Sequence, residues 1–158
     1  MNCNHECSNC QNGCIVLCPI CEKNAREVKF SAAKTLVIEP KYLKKDELVY
    51  ICQNKKCDVV YFQLNNPKYY FKNEIKKPIW FKEKVDKYMV CYCREIYLSD
   101  IIKIIKESKD DILYTKEDIM KKFPKVLEDC AHNNPLGESC DKVFENAIKY
   151  AYHITKGE

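Results

Sequence analysis

The cysteines of this chain form closely spaced pairs, and such pairs are typical of metal ligands. The sequence holds 12 cysteines in 158 residues. Cys18 and Cys21 form a C-P-x-C pair, and Cys52 and Cys57 form a C-x4-C pair. Thiolates at these spacings hold zinc, copper(I) or iron–sulfur clusters. Metal binding is therefore the first expectation for this chain.

A second set of cysteine pairs lies in the carboxyl-terminal half. Cys91 and Cys93 form C-x-C, and Cys130 and Cys140 form C-x9-C. One intervening residue places both sulfurs of C-x-C on the same side of an extended turn, which suits two thiolates that converge on one cofactor. From spacing alone, these cysteines fit a [2Fe–2S] cluster and a second zinc ion about equally well.

A third group of cysteines crowds the amino terminus, in steps of four, three and four residues: Cys3, Cys7, Cys10 and Cys14. On a helix, these steps place the thiols on one face. Soft ligands of this kind favour copper(I), zinc or another soft metal, and a structural zinc knuckle or a partly disordered arm is the alternative. His5 is a further candidate ligand here, and His132 is a candidate in the loop that precedes Cys140.

The amino terminus argues for a reducing compartment. Residues 1–6 lack the basic-then-apolar pattern of a secretory signal, and the chain lacks the long apolar run of a membrane span. We therefore expect a cytoplasmic protein without membrane insertion, in which paired cysteines bind metal. A disulfide-stabilised secreted scaffold is the alternative that an even cysteine count leaves open.

The charge balance does not predict a nucleic-acid partner. The formal net charge is +4 with every cysteine counted as neutral. A Zn(Cys)4 site and an oxidised [2Fe–2S](Cys)4 site each carry about −2, which would bring the total to about zero. The lysines are scattered and form no long run, so they are expected to be solvated surface residues.

Strand-like segments surround the first two cysteine pairs. Short β-branched and aromatic segments predict strands at 26–30, 35–38, 48–51, 59–62 and 69–71. Two cysteine pairs among such strands indicate the two knuckles of a zinc ribbon, in which one zinc ion stabilises a small sheet. Partly buried free cysteines are the alternative.

Helical patterns follow Cys93. Ser99 is a suitable N-cap for a helix over 100–106, and Thr115 begins a capping-box-like pattern for a short helix that Pro124 closes. Apolar residues at helical spacing over 143–151 predict a last helix.

The order and spacing of several segments resemble a known family. CPIC at 18–21, TLV at 35–37, CQNKKCDVVYF at 52–62, CYC at 91–93 and NPLGESC at 134–140 resemble the amino-terminal domain of the copper chaperone CopZ, a zinc ribbon fused to a [2Fe–2S] domain. The segment with CYC and the following helix also resembles bacterioferritin-associated ferredoxin. The resemblance implies zinc at Cys18, Cys21, Cys52 and Cys57, and a [2Fe–2S] cluster at Cys91, Cys93, Cys130 and Cys140.

The chain departs from that family in two respects. The family usually has two adjacent cysteines after the N-P-x-G turn, and here Ser139 stands in the first position, before Cys140. The family's copper chaperones also carry a downstream copper-binding domain, and we expect none in a chain that ends at Glu158. The redox cluster is thus what the resemblance implies most directly.

These observations together predict an α+β protein in which a small β-rich zinc ribbon packs on a helical [2Fe–2S] domain. The expected divisions are a cysteine-rich arm or small metal-binding module at 1–17, the ribbon at 18–88 and the cluster domain at 89–158. The resemblance implies one-electron transfer linked to copper handling, including reduction of copper(II) and delivery of copper(I), as the function. A redox protein or a metal-transport protein would be the partner.

Two other functions remain open at this point. One is a non-redox zinc-binding interaction module, and the other is an iron–sulfur cluster carrier. An electron-transfer protein or metal chaperone is favoured over a substrate-turnover enzyme, and the sequence does not define the oligomeric state.

Overall fold

The computed structural model describes residues 15–109 and 111–157. Within them, the chain forms a five-stranded antiparallel sheet followed by a two-stranded hairpin and several helices, which confirms the predicted α+β class. No helix in these ranges is long and apolar enough to cross a membrane. The strands of the larger sheet lie in chain order: β1 (Val16–Leu17), β2 (Asn24–Val28), β3 (Val49–Cys52), β4 (Val59–Phe62) and β5 (Tyr70–Phe71).

The centre of the larger sheet is buried on both faces. All residues of β3 and β4 are buried, as their continuous apolar sequences require. Tyr50 pairs with Phe62 and Ile51 pairs with Tyr61 across the two strands. This register leaves the Cys52–Cys57 segment as the loop that joins β3 to β4, so both cysteines of that pair lie at one end of the sheet.

The strand predicted at 35–38 is wrong, because these residues end a helix. Helix α1 (Phe30–Leu36) buries Ala32, Ala33 and Leu36. Val37 follows it and forms a single bridge with Ile75. The β-branched residues predicted a strand locally, but burial of the two alanines against the sheet decides the conformation.

The second part of the chain begins with a hairpin, β6 (Met89–Cys91) and β7 (Ile96–Tyr97). The sequence predicted an extended turn at Cys91–Cys93 and helix after it, so the β7 strand was not predicted. Helices α2 (Leu98–Glu107), α3 (Lys116–Met120), α4 (Cys130–Asn133) and α5 (Asp141–Lys156) follow. The N-cap of α2 is Tyr97 and not Ser99. The capping box of α3 is confirmed, since the Thr115 hydroxyl accepts from the Asp118 backbone N–H.

The helices form their own core. Helix α2 packs on α5, and their facing side chains are buried together: Ile101, Ile105, Phe144, Ala147 and Ala151. Ile119 of α3 joins the same cluster. Cys91 and Cys140 belong to this cluster as well, so the helical core also positions these two thiols.

Several contacts join the sheet to the helical part. The hydroxyl of Ser31 in α1 donates to the Ala131 carbonyl at 3.3 Å, and Arg26 pairs with Glu138. The buried Tyr61 hydroxyl donates to the Pro135 carbonyl at 2.6 Å, and burial raises the pKa of Tyr61 well above its usual value. The loop between α4 and α5 is therefore held against the ribbon.

The Tyr61 hydrogen bond is expected to stabilise the whole chain. Tyr61→Phe should leave the buried Pro135 carbonyl without its donor and lower the free energy of unfolding by about 1–3 kcal/mol. Urea unfolding followed by circular dichroism measures this change. Tyr150→Phe, which alters an exposed tyrosine, is the control, and equal midpoints for the two variants would contradict the prediction.

Candidate metal centres

The first knuckle is a tight turn after β1. The Cys18 backbone N–H donates to the Lys23 carbonyl at 2.8 Å, and the Glu22 N–H donates back to the Cys18 carbonyl at 2.9 Å. Glu22 adopts a left-handed backbone with φ of 57°. The turn between these hydrogen bonds contains Cys21, so both cysteines of the C-P-x-C pair lie on one compact loop.

The second knuckle is the β3–β4 loop. Cys52 ends β3 and Cys57 precedes β4 by one residue. The Cys57 backbone N–H donates to the Asn54 carbonyl at 3.1 Å, and the Asn54 side-chain oxygen accepts from the Lys56 N–H at 3.1 Å. These bonds turn the loop so that both sulfurs face the first knuckle.

The two knuckles bring four sulfurs into one cluster. The sulfurs of Cys18, Cys21, Cys52 and Cys57 all lie within 4.8 Å of one another. The Sγ atoms of Cys21 and Cys52 are 3.6 Å apart. Ligands about 2.3 Å from a tetrahedral zinc ion are separated by about 3.8 Å, so the arrangement fits one zinc ion.

The thiols of this cluster differ in acidity. Burial opposes ionisation of Cys21, but hydrogen bonds from Asn54, from the Lys23 backbone and from the neighbouring thiols lower the pKa of Cys21 to about 6. Burial raises the pKa of Cys52 to about 12 against the opposing Asn54 backbone N–H. A cation bound among these sulfurs would favour the thiolate form of all of them.

The second cysteine group lies between the hairpin and the helices. Cys91 ends β6, Cys93 lies in the β6–β7 turn, Cys130 begins α4 and Cys140 is the N-cap of α5. Cys91 and Cys140 are buried in the helical core, and Cys93 and Cys130 pack against the same cluster. Among the described residues, only the ribbon group has all its sulfurs within 4.8 Å, so this second group is more open.

The surroundings of the second group act differently on its thiols, since the pKa of Cys91 is lowered and the pKa of Cys140 is raised. The Cys93 sulfur accepts from the Asp129 backbone N–H at 3.2 Å and from the Asn133 side-chain amide at 3.5 Å. Despite burial, interaction with the Cys140 thiol and with the Arg94 backbone N–H lowers the pKa of Cys91 to about 6. The interaction with Cys91, together with burial, raises the pKa of Cys140.

Other candidates have different placements. All eight cysteines in the described part of the chain are free thiols, so no disulfide forms there. His132 is exposed, and its Nδ1 lies 2.9 Å from an Asp129 carboxylate oxygen. The arm candidates lie outside the described residues: Cys3, His5, Cys7, Cys10 and Cys14.

Sequence reasoning missed two basic residues beside the cysteine groups. Lys82 is 6% exposed, and its ammonium donates to backbone carbonyls of the β3–β4 loop. The Arg94 guanidinium donates to the Met120 and Pro124 carbonyls and pairs with Glu128 at 3.3 Å. Adjacency to Cys93 could have drawn attention to Arg94, whereas nothing local distinguishes Lys82 from the other lysines.

Comparison with known proteins agrees with this geometry. Residues 15–76 match the family model zf_CopZ, described as a zinc binding domain. The X-ray structure of the Archaeoglobus fulgidus CopZ N-terminal domain is similar, with a TM-score of 0.61 at 24% sequence identity. The match covers 83% of this chain and 96% of that chain, and at this identity it establishes the fold. No curated protein sequence matched.

These findings support zinc binding by the ribbon part of the chain. The matched region contains both knuckles, and the structure brings the sulfurs of the two knuckles together. The expected likeness to CopZ is therefore confirmed for the zinc-binding region and for the fold. Assignment of individual ligands stays a prediction.

Loss of one knuckle cysteine should remove zinc and destabilise the ribbon. Cys52→Ala should lower the zinc content by one ion per chain, because three remaining thiols at a buried site hold the ion poorly. Structural zinc contributes about 10–16 kcal/mol of binding free energy in zinc-finger peptides, so the melting temperature should fall sharply. Elemental analysis and thermal unfolding measure both effects. Lys55→Ala, which alters an exposed residue of the same loop, is the control, and unchanged zinc content in Cys52→Ala would refute the assignment.

Proposed function

We propose that this protein is a redox protein with two metal centres, whose role is one-electron transfer linked to metal handling. In this proposal a structural zinc ion is held by Cys18, Cys21, Cys52 and Cys57. A [2Fe–2S] cluster is held by Cys91, Cys93, Cys130 and Cys140. The observation that carries the redox part is that all four of these cysteines belong to, or pack against, one buried cluster of the helical part.

The donor set of the ribbon fits zinc. Three of its four cysteines are buried, and no carboxylate or histidine joins them within the described residues. An all-sulfur set with tetrahedral spacing is typical of structural zinc, which leaves no open position for a substrate. The ribbon is therefore assigned a structural role, and the redox chemistry is assigned to the second group.

The donor set of the second group fits a binuclear cluster. A [2Fe–2S] cluster holds its four thiolates as two pairs, one pair for each iron, and the two pairs lie farther apart than the ligands of a single ion. Among the described residues, these four cysteines share one core, but they do not all lie within 4.8 Å of one another as the ribbon sulfurs do. When bound, the cluster would accept and donate one electron at a time. Reduction of one copper(II) to copper(I) requires one electron.

The surrounding residues are suited to stabilise such a site. N–H groups of Asp129 and Asn133 point at the Cys93 sulfur, and hydrogen bonds to ligand sulfurs tune reduction potentials. Tyr92, between two of the proposed ligands, is 2% exposed and limits solvent access. The Arg94 guanidinium holds the segment around Pro124 and Glu128 beside the site. These residues would bind the thiolates, exclude water and hold positive charge near the sulfurs.

The cluster assignment predicts colour and composition. Protein purified anaerobically after iron-replete expression should be red-brown, should bleach with dithionite, and should contain about two irons and two sulfides per chain. Cys91→Ala and Cys140→Ala should lose the iron and keep the zinc. Absorption spectroscopy, electron paramagnetic resonance of the reduced protein and metal analysis test this.

The ribbon variants are the reciprocal control. Cys52→Ala should lose zinc, and it leaves all four proposed cluster ligands in place. A colourless protein that contains only zinc would overturn the redox proposal and favour a zinc-binding interaction module. Rapid transfer of the cluster to an apo-ferredoxin acceptor would instead favour an iron–sulfur carrier.

Copper handling is the finer part of the proposal, and its support is the cysteine-rich arm. The arm carries the cysteines that neither of the two centres uses, and soft thiolates favour copper(I) over hard cations. In this proposal the arm receives copper(I) after reduction, and a metal-transport protein then accepts the ion. The arm lies outside the described residues, so the assignment rests on the sequence.

Deletion of residues 1–14 should remove copper(I) binding and leave the iron–sulfur spectrum unchanged. Titration with copper(I) against a competing chelator measures the binding. A full-length chain with serine at Cys3, Cys7, Cys10 and Cys14 is the matched control and should behave like the deletion. Equal copper(I) affinity in all three proteins would exclude the arm as the receiving site.

A further inference from the structure

Lys82 is a buried lysine without a carboxylate partner. It lies in the short 3-10 turn Trp80–Lys82 that connects the ribbon to the helical part, and it is 6% exposed. Within the described residues, no carboxylate oxygen lies within 4.0 Å of the Lys82 Nζ. Eleven other basic side chains there each have a carboxylate oxygen within that distance. Removal of an ammonium group from water costs several kcal/mol unless negative charge compensates it.

The ammonium of Lys82 contacts the second zinc knuckle. Its Nζ donates to the Asn54 carbonyl at 2.7 Å and to the Cys57 carbonyl at 3.0 Å. Both carbonyls belong to the loop between the two cysteines of that knuckle. A ring of Phe81 lies on another side, with its centroid 5.7 Å from Nζ.

These bonds orient the peptide groups of the loop. The Asn54 carbonyl accepts both from the Lys82 ammonium and from the Cys57 backbone N–H. The Asn54 side-chain oxygen closes the same turn by accepting from the Lys56 N–H at 3.1 Å. Lys82 therefore stabilises the loop conformation that places Cys52 and Cys57 in the four-sulfur cluster.

A zinc ion bound by the four thiolates of the ribbon would supply the negative charge that compensates Lys82. Four thiolates around one Zn²⁺ carry a net charge of about −2, and a lysine beside them would reduce it to about −1. We propose that Lys82 is the positioning residue and counter-cation of the ribbon's tetrathiolate centre, bound to the knuckle loop through Asn54 and Cys57. The inference rests on the zinc assignment under the proposed function and names a residue outside its ligand set.

The test compares variants of Lys82 in the full-length protein. Lys82→Met removes the charge and keeps most of the side-chain volume, Lys82→Arg keeps the charge, and Lys84→Met removes a nearby charge from an exposed position. Zinc affinity is measured by competition with a chromophoric chelator. Loss of a group that supports metal ligands typically costs about 10–100-fold in affinity, and this is expected for Lys82→Met. Lys84→Met should match the wild type, and Lys82→Arg should lose much less than Lys82→Met.

Cobalt(II) substitution provides a readout independent of affinity. The thiolate-to-cobalt absorption of the wild type should have the intensity of four sulfur ligands, and Lys82→Met should retain it with weaker binding, because Lys82 is not a ligand. If Lys82→Met does not fold even with excess zinc, Lys82→Gln, which keeps an N–H donor without charge, replaces it in the comparison with Lys82→Arg.

Two results would overturn the inference about Lys82. One is equal zinc affinity for the uncharged Lys82 variant and Lys84→Met, and the other is equal loss in the uncharged and arginine variants. A wild type that binds no zinc, or whose cobalt spectrum lacks four sulfur ligands, would instead refute the proposed zinc centre. The two failures are therefore distinguishable.

Discussion

The convergence of four thiols at one end of the larger sheet is the constraint on which the ribbon depends. The buried cluster at that end consists of Cys18, Cys52 and Cys57 together with Tyr50, Val59 and Phe62. Half of the named core side chains there are thus potential metal ligands. Burial disfavours the thiolates of Cys52 and Cys57 in the absence of a cation, and it raises the pKa of both groups. A bound metal ion would convert these groups into a stable part of the core, and folding and metal binding would then be linked.

The connection between the two parts of the chain touches both cysteine groups. Lys82 contacts the β3–β4 loop, and the Trp80 backbone N–H donates to the Tyr92 hydroxyl at 3.2 Å. Trp80 also packs edge-on against Tyr92, with ring centroids 6.2 Å apart. One short turn thus contacts the zinc knuckle on one side and the residue between Cys91 and Cys93 on the other. Both groups therefore depend on the position of the same segment.

Local patterns predicted some elements well and others poorly. The strands around residues 49–52 and 59–62 were evident because continuous apolar, β-branched runs are typical of buried strands. The strand predicted at 35–38 was wrong, since Ala32 and Ala33 upstream favour helix and are buried with Leu36. The hairpin around Cys93 was missed for a related reason. Strands of two or three residues are too short to show an alternating pattern in the sequence. The left-handed backbone of Glu95 in the turn is also not indicated by the residue type.

The sequence by itself determined the metal-binding character of this protein, because thiol chemistry and ligand spacing are encoded in the order of residues. It also indicated which cysteines form closely spaced pairs along the chain. The tertiary structure alone decided how closely the two ribbon pairs approach, with all four sulfurs within 4.8 Å of one another, and that Cys91 and Cys140 are buried in one core with the helices. It also decided that Lys82, 25 residues beyond Cys57, contacts the knuckle. These facts depend on how the sheet and the helices pack. Contacts between residues that are far apart in the sequence produce no repeating pattern of residue types from which they could be predicted.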